Sequence, residues 1–286
     1  MRKRSKKTLS KIVSLQGMAS VCNSYDIVGD IAIAHLPRSE KESQRIAETI
    51  LSIHKNVKTV LAQSGGVCGE FRLRGLKYVA GENKTTTFHR ESGCLFSVDV
   101  EKCYFSPRLS YERLRIAKQV QKDEVVVNMF AGVGCFSILI AKHANPGKVY
   151  SIDVNPIAHE CMERNVRINK VYGKVVPLLG GAKDLIERKF CGLADRVLMP
   201  LPEKAFQYLP LAVSALNKRG GWVHYYDFVH ASKEEDASEK VKKKVLEKLK
   251  DLKIDCEVSL ARVVRSVGPN WYQLVLDVRV MKDGTT

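Results

Sequence analysis

A short β-branched run that enters a Gly-x-Gly turn constrains the fold of this chain more than any other feature of the sequence. Residues 125–130 lead into Gly132 and Gly134, and a helical pattern follows the turn. A second apolar run then ends in Asp153. Glycines let the backbone turn sharply and approach a ligand closely, and an acid about 20 residues further on can hold ribose hydroxyls. The pattern predicts a nucleoside-containing cofactor at the carboxyl ends of parallel strands.

Strand-like and helical segments alternate from this turn to the end of the chain. The other strand-like runs lie at 149–152, 175–179, 196–199, 222–226, 255–265 and 271–280, and helical patterns lie at 136–142, 156–169 and 233–253. Such alternation predicts a parallel sheet with helices on both faces. The last two runs flank Gly268-Pro269-Asn270, which indicates an antiparallel hairpin. Seven strands ending in a hairpin favour an α/β fold of the Rossmann-like class I AdoMet-dependent methyltransferase type over a dehydrogenase.

The segments before this domain predict a small α+β domain. Residues 40–53 have the pattern of an amphipathic helix, with Ile46, Ile50 and Ile53 on one face. Strand-like runs lie at 31–36, 57–62, 69–74, 85–89 and 94–100, and a helix at 110–121 leads towards the second domain. The sequence therefore predicts a basic lead-in at 1–20, the small α+β domain at 21–115 and the Rossmann-like domain at 116–286.

Charge, hydropathy and cysteine spacing limit the partners that this chain is expected to bind. The 47 Lys and Arg residues exceed the 31 Asp and Glu residues by 47 − 31 = 16, which points to a polyanionic partner. No apolar run approaches the roughly 18 residues of a membrane span, so no membrane partner is expected. The 8 cysteines include no C-x-x-C pair. That spacing predicts no metal site and a reducing, cytoplasmic environment.

A series of short motifs resembles one known family. The motifs are VAGENKT at 79–85, YFSPRL at 104–109, ER at 112–113, FAGVG at 130–134, IDVNP at 152–156, DRVLM at 195–199, LP at 201–202 and HYY at 224–226. In this order they resemble the archaeal and eukaryotic tRNA (guanine-37-N1)-methyltransferases, and they favour the archaeal branch. The resemblance runs from about Ser24 to Val280. It implies AdoMet as methyl donor, the anticodon loop of tRNA as partner, a monomer, and the lack of the family's N-terminal tRNA-corner-binding domain.

The chemistry of this reaction needs a base and a cation. Guanine N1 carries a proton at neutral pH, and negative charge builds on O6 as that proton leaves. The resemblance assigns the base to Glu112 and the O6 cation to Arg72, in the strand-like run 69–74. By itself, Glu112 would be expected to be a solvated helix residue. Tyr104 resembles the aromatic residue beside the extruded guanine, since an aromatic face can stack a flipped base.

The resemblance also implies two groups of binding residues. The cofactor residues are Phe130, Gly132, Gly134, Asp153, Val154 and Leu201, and the target-base residues are Arg72, Pro107, Arg108, Pro200 and Pro202. A helix N-cap is the ordinary structural alternative for Asp153, and a core tyrosine on a strand is the alternative for Tyr104.

Four residues depart from the family's usual pattern. They are Asn128 in place of Asp, Cys135 in place of Pro, Gly181 in place of an Asp near the adenine, and Pro200 in place of the Asn that holds the target base. Proline offers neither a side-chain amide nor a backbone N–H. Two further functions therefore stay open beside guanine methylation: AdoMet-dependent aminocarboxypropyl transfer in wybutosine synthesis, and a tRNA-binding homologue without catalysis.

Overall fold

The computed structural model of the protein describes residues 25–282 and divides into two compact units, with the boundary between Arg108 and Leu109. The basic lead-in predicted at residues 1–20 lies outside the described residues. Residues 109–115 fall in the second unit, whereas the sequence places them in the first. No helix among the described residues has the length and apolar character needed to cross a membrane.

The first unit combines a four-stranded sheet, a two-stranded hairpin and one long helix. Its elements are β1 (Tyr25–Val28), β2 (Ile31–Ala34), α1 (Glu40–Ile53), β3 (Thr59–Cys68), β4 (Leu73–Gly81), β5 (Thr86–Glu91) and β6 (Cys94–Asp99). The sheet order is β1-β2-β3-β4, and β5 pairs with β6 alone. The β2–β3 pair is parallel because α1 connects the two strands, whereas the β1–β2 and β3–β4 pairs are antiparallel.

Helix α1 confirms the prediction made from its apolar spacing. The Ser39 side chain accepts a hydrogen bond from the backbone N–H of Glu42 and so caps the first turn. Ile46 and Ile50 are fully buried and pack with Val60 of β3 in the core of this unit. The apolar face predicted from the sequence is thus the face that covers the sheet.

The strand predicted at residues 69–74 is wrong in its first half. Strand β3 continues to Cys68, and residues 69–72 form the turn that leads into β4. The backbone N–H of Arg72 donates to the carbonyl of Gly69 over 3.1 Å, and Arg72 has a φ of 55°. Arg72 therefore lies in a tight turn with a left-handed backbone, which few non-glycine residues adopt.

The second unit contains one seven-stranded sheet. Its strands are β7 (Val125–Asn128), β8 (Lys148–Asp153), β9 (Val175–Leu179), β10 (Arg196–Met199), β11 (Gly220–His230), β12 (Asp255–Gly268) and β13 (Trp271–Met281), and its first three helices are α2 (Ser110–Gln119), α3 (Cys135–His143) and α4 (Pro156–Ile168). The strand order is β12-β13-β11-β10-β7-β8-β9. Only the pairs made by β13 are antiparallel. The predicted parallel sheet with a terminal hairpin is confirmed.

Two helical segments of this unit are not recognisable by an amphipathic period. They are α5 (Ala182–Leu185), which runs into a π-helical turn at Ile186–Phe190, and α6 (Pro202–Ala215), which contains Pro210. Helix α6 packs against the sheet in the hydrophobic core of this unit. Apolar residues therefore lie on most of its surface, and the helical period of apolar residues is weak. By contrast, the charged segment near residue 240 forms α7 (Ala237–Asp251), with Val241, Val245 and Leu249 buried as predicted.

Candidate functional site

The predicted cofactor residues of the second unit meet at one edge of its sheet. Strands β8, β7, β10 and β11 are parallel neighbours, so their carboxyl ends lie side by side. The segments that leave these ends carry Phe130, Gly132, Gly134, Asp153, Val154, Pro200, Leu201 and Pro202. The sequence separates these residues by more than 70 positions, and the sheet brings them to a common edge.

Asp153 is held in a fixed orientation at the end of β8. One carboxylate oxygen accepts the backbone N–H of Gly132 over 2.6 Å, and the other accepts the N–H of Asn155 over 2.9 Å. Burial raises the pKa of Asp153, and these two N–H donors offset part of that effect. A carboxylate has about four acceptor positions, so two remain for a ribose diol.

The alternative interpretation of Asp153 as a helix N-cap is wrong. Asn155 is the N-cap of α4, because its side-chain oxygen accepts the N–H groups of Ile157 and Ala158. Asp153 instead connects the end of β8 to the glycine turn after β7. Its position is therefore available for binding rather than used to begin the helix.

The glycine turn needs glycine for backbone reasons. Gly132 has a φ of 57° and Gly134 a φ of 88°, in the region that side chains disfavour. A Cβ atom at Gly134 would lie 2.8 Å from Cγ of Met162 on α4. The side-chain amide of Asn165 donates to the carbonyl of Val133 over 3.0 Å and fixes the turn between them. The turn is thus tightly packed against α4.

Asn128, one of the four departures, has a structural explanation. It is fully buried, and its side-chain amide donates to the hydroxyl of Ser137 over 3.1 Å. The Ser151 hydroxyl lies 2.7 Å from the same Ser137 oxygen. An Asp carboxylate could not make the donated bond, so the amide matches this pair of serines. Another departure, Cys135, is buried at the first position of α3.

The remaining two departures lie beyond the ends of β9 and β10. A Cβ atom at Gly181 would lie 3.3 Å from a carboxylate oxygen of Asp184, so an acidic group lies beside this glycine. Pro200 follows the last residue of β10 and is partly buried. Leu201 takes the N-cap position of α6, and Pro202 begins the helix, where its fixed φ is favourable.

Glu112 is buried, not solvated as its position alone would suggest. Its side chain is 1% exposed on α2. Arg115 donates to both carboxylate oxygens over 2.8 and 3.0 Å, and the Tyr226 hydroxyl donates over 2.8 Å. Arg262 of β12 makes a short hydrogen bond to Oε2. Two guanidinium groups and a phenol therefore surround the carboxylate with hydrogen-bond donors.

The charge network continues from Glu112 through the sheet. Arg115 also binds Asp277 of β13, and Asp277 lies 2.7 Å from Nδ1 of His224 on β11. Nε2 of His224 lies 2.6 Å from a guanidinium nitrogen of Arg196, which in turn pairs with Glu124. Arginine offers only donors, so Nε2 must accept and Nδ1 must carry the proton. The network thus runs from Arg196 at the start of β10 to Glu112 at the carboxyl edge of the sheet.

The pKa shifts in this network follow from burial and pairing. Burial alone would raise the pKa of Asp277, but hydrogen bonds from His224 and Arg115 outweigh it and hold that pKa well below its ordinary range. Burial lowers the pKa of His224, which keeps the ring neutral. Burial, followed by the nearby Glu112 carboxylate, raises the pKa of Tyr226, so its hydroxyl stays a donor.

A second cluster of predicted residues lies in the first unit. The Arg72 guanidinium lies 4.2 Å above the centre of the Tyr104 ring. Arg108 pairs with Asp26 over 2.7 Å, and Arg74, whose guanidinium lies 3.6 Å from the same carboxylate, donates to the carbonyl of Phe105. Tyr104 is partly buried beyond the end of β6, so it is not a core residue of a strand. Arg72 and Tyr104, which the sequence resemblance places at the target base, are thus in contact.

Pro107 opens a short 3₁₀ turn, Pro107–Leu109, that leads into α2. Pro107 is buried and Arg108 is exposed. Pro107 thus sets the course of the chain before Glu112, whereas Arg108 keeps a charged group accessible to a ligand. Among residues 25–282, no group of three or more His, Cys, Asp or Glu side chains could hold a metal ion.

Sequence reasoning missed the residues that surround Glu112. Tyr226, Arg262 and Asp277 lie far from Glu112 in the chain and are brought near it only by the sheet, whereas Arg115 lies three residues away on α2. One signal for a distant partner was present, because Asp277 lies in a mostly apolar strand. A charge that is buried with such a strand must be paired. The sequence could indicate that Asp277 has a partner, but not which one.

Comparison with known proteins places these features in a family. Residues 87–260 match the model described as the TRM5/TYW2 methyltransferase domain, and residues 5–85 match the TYW2 N-terminal domain. The tRNA (guanine(37)-N(1))-methyltransferase Trm5b of Pyrococcus abyssi is 43% identical, over 90% of this chain and 74% of that protein. The tRNA 4-demethylwyosine(37)-methyltransferase Taw21 of Saccharolobus solfataricus is 38% identical, over 96% of this chain and 99% of that protein.

A third relative has a different activity. The tRNA(Phe) (4-demethylwyosine(37)-C(7)) aminocarboxypropyltransferase of Methanocaldococcus jannaschii is 33% identical, over 89% of this chain and 97% of that protein. Solved structures agree with the sequence matches. The complex of aTrm5 and tRNALeu has a TM-score of 0.80 and 37% identity, over 98% of this chain and 77% of that chain. TYW2 of M. jannaschii in complex with AdoMet has a TM-score of 0.68 and 27% identity, over 91% of this chain and 100% of that chain.

Proposed function

Because this chain belongs to the TRM5/TYW2 methyltransferase family, we propose that it transfers the methyl group of AdoMet to N1 of guanine-37 in tRNA. One observation carries the proposal: a buried, charge-paired Glu112 at the carboxyl edge of the sheet. Tyr226, which binds this carboxylate, lies one residue beyond the partner of Met199, the last residue of β10. The carboxylate is therefore at the same edge as the glycine turn and Asp153.

AdoMet is the cofactor, and the residues at this edge fit its parts. Asp153 has two acceptor positions for the ribose hydroxyls, and Gly132 and Gly134 keep the turn free of side chains. When bound, AdoMet supplies an electrophilic methyl group on a sulfonium. Phe130, Val154 and Leu201 leave the same strand ends and are the proposed apolar contacts of the cofactor.

The residues of the chain then have distinct roles at the target base. Glu112 takes the proton of guanine N1 as the N1–methyl bond forms, and the electron pair of the broken carbon–sulfur bond stays on sulfur. Arg72 compensates the negative charge on O6, and Tyr104 stacks on the extruded base. Pro107, Arg108, Pro200 and Pro202 border the base. The positive charge of the chain suits the tRNA backbone, with each paired phosphate releasing counterions.

A second candidate function has its own support. Taw21 of S. solfataricus aligns with this chain over 99% of its length, and that relative is a tRNA 4-demethylwyosine(37)-methyltransferase. Pro200 also lacks the amide with which an asparagine would bind the guanine edge. The alternative substrate is therefore 4-demethylwyosine at position 37 of tRNA. Aminocarboxypropyl transfer is less favoured, because the Tyr104 to Glu112 motif matches the methyltransferases.

Product analysis separates these functions. The purified chain is incubated with AdoMet and either a tRNA transcript with guanine-37, a matched transcript with adenine-37, or tRNA that carries 4-demethylwyosine. We expect mass spectrometry of the nucleosides to find 1-methylguanosine in the first tRNA alone. Methylation of 4-demethylwyosine alone would establish the second candidate, and addition of an aminocarboxypropyl group would replace both. Binding of tRNA and AdoMet without transfer of any group would indicate a tRNA-binding protein without catalysis.

Replacement of Asp153 tests the cofactor assignment. The Asp153→Ala variant should bind AdoMet more weakly by about 1.5–3 kcal/mol, because hydrogen bonds to a charged carboxylate are lost. Isothermal titration calorimetry measures the affinity, and the thermal midpoint checks folding. The matched control is Asp251→Ala, since Asp251 is exposed at the end of α7. Equal affinities of the folded Asp153 variant and the native chain would exclude Asp153 as the ribose ligand.

The monomeric, cytoplasmic state expected from the sequence stays a prediction.

A further inference from the structure

The two guanidinium groups that bind Glu112 differ in how firmly they are held. Arg115 binds both Glu112 and Asp277, and its side chain is 14% exposed. Burial alone would lower its pKa, but hydrogen bonds to Asp277 and Glu112 outweigh burial and raise it. Tyr226 is fully enclosed on β11. Arg115 and Tyr226 are therefore fixed parts of the carboxylate's surroundings.

Arg262 is held much less firmly. Its side chain is 33% exposed, on the edge strand β12. It makes one hydrogen bond to Oε2 of Glu112 and lies 5.3 Å above the ring of Tyr111, which is 71% exposed. Its Nε–H is buried and has no hydrogen-bond partner among the described residues. A buried donor without a partner is unfavourable, so a second arrangement that gives it an acceptor would be favoured.

Glu112 has no acceptor position left for a substrate while Arg262 is bound. Arg115 uses both oxygens, Tyr226 uses Oε1 and Arg262 uses Oε2. These four hydrogen bonds fill about four acceptor positions of a carboxylate. One donor must leave before the carboxylate can take a proton. Only Arg262 is partly exposed and free of a second hydrogen-bonded partner, so it is the donor that can leave.

We propose that Arg262 is a displaceable latch on Glu112, which moves from Oε2 to the target base when the base enters. This role rests on the proposed methyl transfer and adds a residue to it. Displacement opens Oε2 to the N1 proton, and the guanidinium offers its Nε–H to the oxygen of the base that becomes negative. The N1 proton goes to Glu112, N1 gains the methyl group, and sulfur keeps the electron pair of the broken bond. Base entry and activation of Glu112 become one event.

The test is the rate of single-turnover methyl transfer to tRNA by the full chain. In Arg262→Ala we expect a loss of rate of roughly tenfold or more, with the affinity for tRNA and the thermal midpoint little changed. Arg262→Lys keeps the positive charge and should restore most of the rate. The matched control is Arg265→Ala on the same strand, since Arg265 binds the Gln273 side chain; its rate should match the native one.

Each other outcome overturns the latch. A rate loss in Arg262→Ala that comes with a lower thermal midpoint and is not restored in Arg262→Lys would indicate a purely structural role. An unchanged rate in Arg262→Ala would show that Arg262 does not act on Glu112. If the native chain transfers no methyl group to any tRNA tested, the proposed function fails and the latch with it. An active native chain with an equally active Arg262→Ala variant would remove the latch alone.

Discussion

Replacement of Glu112 by Gln should lower the single-turnover rate of methyl transfer by about 10²–10⁴-fold, the usual contribution of a general base. The amide keeps the size and one acceptor oxygen of the carboxylate but cannot take the N1 proton. Affinities for tRNA and AdoMet should change little. Rapid-quench kinetics with enzyme in excess over tRNA measure the chemical step directly.

The matched control for this variant is Glu160→Gln, because Glu160 is an exposed glutamate on a helix of the same unit. Its rate should equal that of the native chain. Glu112 also binds two arginines, so the thermal midpoint of Glu112→Gln must be measured beside the rate. A folded Glu112→Gln variant that methylates at the native rate would mean that another group removes the proton.

Replacement of Asp277 by Ala should destabilise the second unit by about 3–5 kcal/mol, because it leaves buried charge without its counterion. Asp277 is 2% exposed and binds both Arg115 and His224. Denaturant unfolding followed by circular dichroism measures the loss. Asp255→Ala is the control, since Asp255 is exposed on the neighbouring strand β12 and should change stability by less than about 0.5 kcal/mol.

The sign of the pH dependence follows from the low pKa of Asp277. A carboxyl group whose pKa is depressed by folding contributes stability above its unfolded pKa, about 3.9, and loses it as pH falls towards the folded value. The native chain should therefore lose stability below about pH 4 more steeply than Asp277→Ala. Parallel acid-unfolding curves for the two proteins would show that Asp277 is not ionised in the network.

The sequence predicted well those features that depend on neighbouring residues. Helix α1 followed from apolar spacing, and the turn at Gly132 and Gly134 followed from the strand that precedes it. The parallel sheet of the second unit followed from the alternation of strands with helices, and its closing hairpin followed from the turn residues Gly268-Pro269-Asn270. The order of the strands in the sheet came only from the structure. The same reasoning wrongly placed Arg72 in a strand. Residues 69–72 form the turn between β3 and β4, and the strand-like sequences on both sides hid this turn.

The sequence could not predict which polar side chains are buried because they pair with side chains of other elements. Glu112 has the local sequence of an exposed helix residue, and its burial depends on Arg115, Tyr226 and Arg262 from three elements. Asn128 reads as a departure from the family, but its partner Ser137 gives the amide a structural purpose. The Glu112–Arg115 pair has the i,i+3 spacing of one helix, but the other pairings need coordinates, since no period or spacing connects the residues concerned.

The sequence by itself determined the two-part organisation, the parallel sheet, the glycine turn with Asp153, and the likeness to a tRNA-modifying family. These features arise from propensities and short motifs, which act over a few residues. Only the tertiary structure showed which charges are buried. It also showed that the backbone N–H of Gly132 orients Asp153 and that Arg262 donates a hydrogen bond to Glu112. Those features depend on side chains far apart in sequence, because the free energy of a buried charge is set by the groups around it in space.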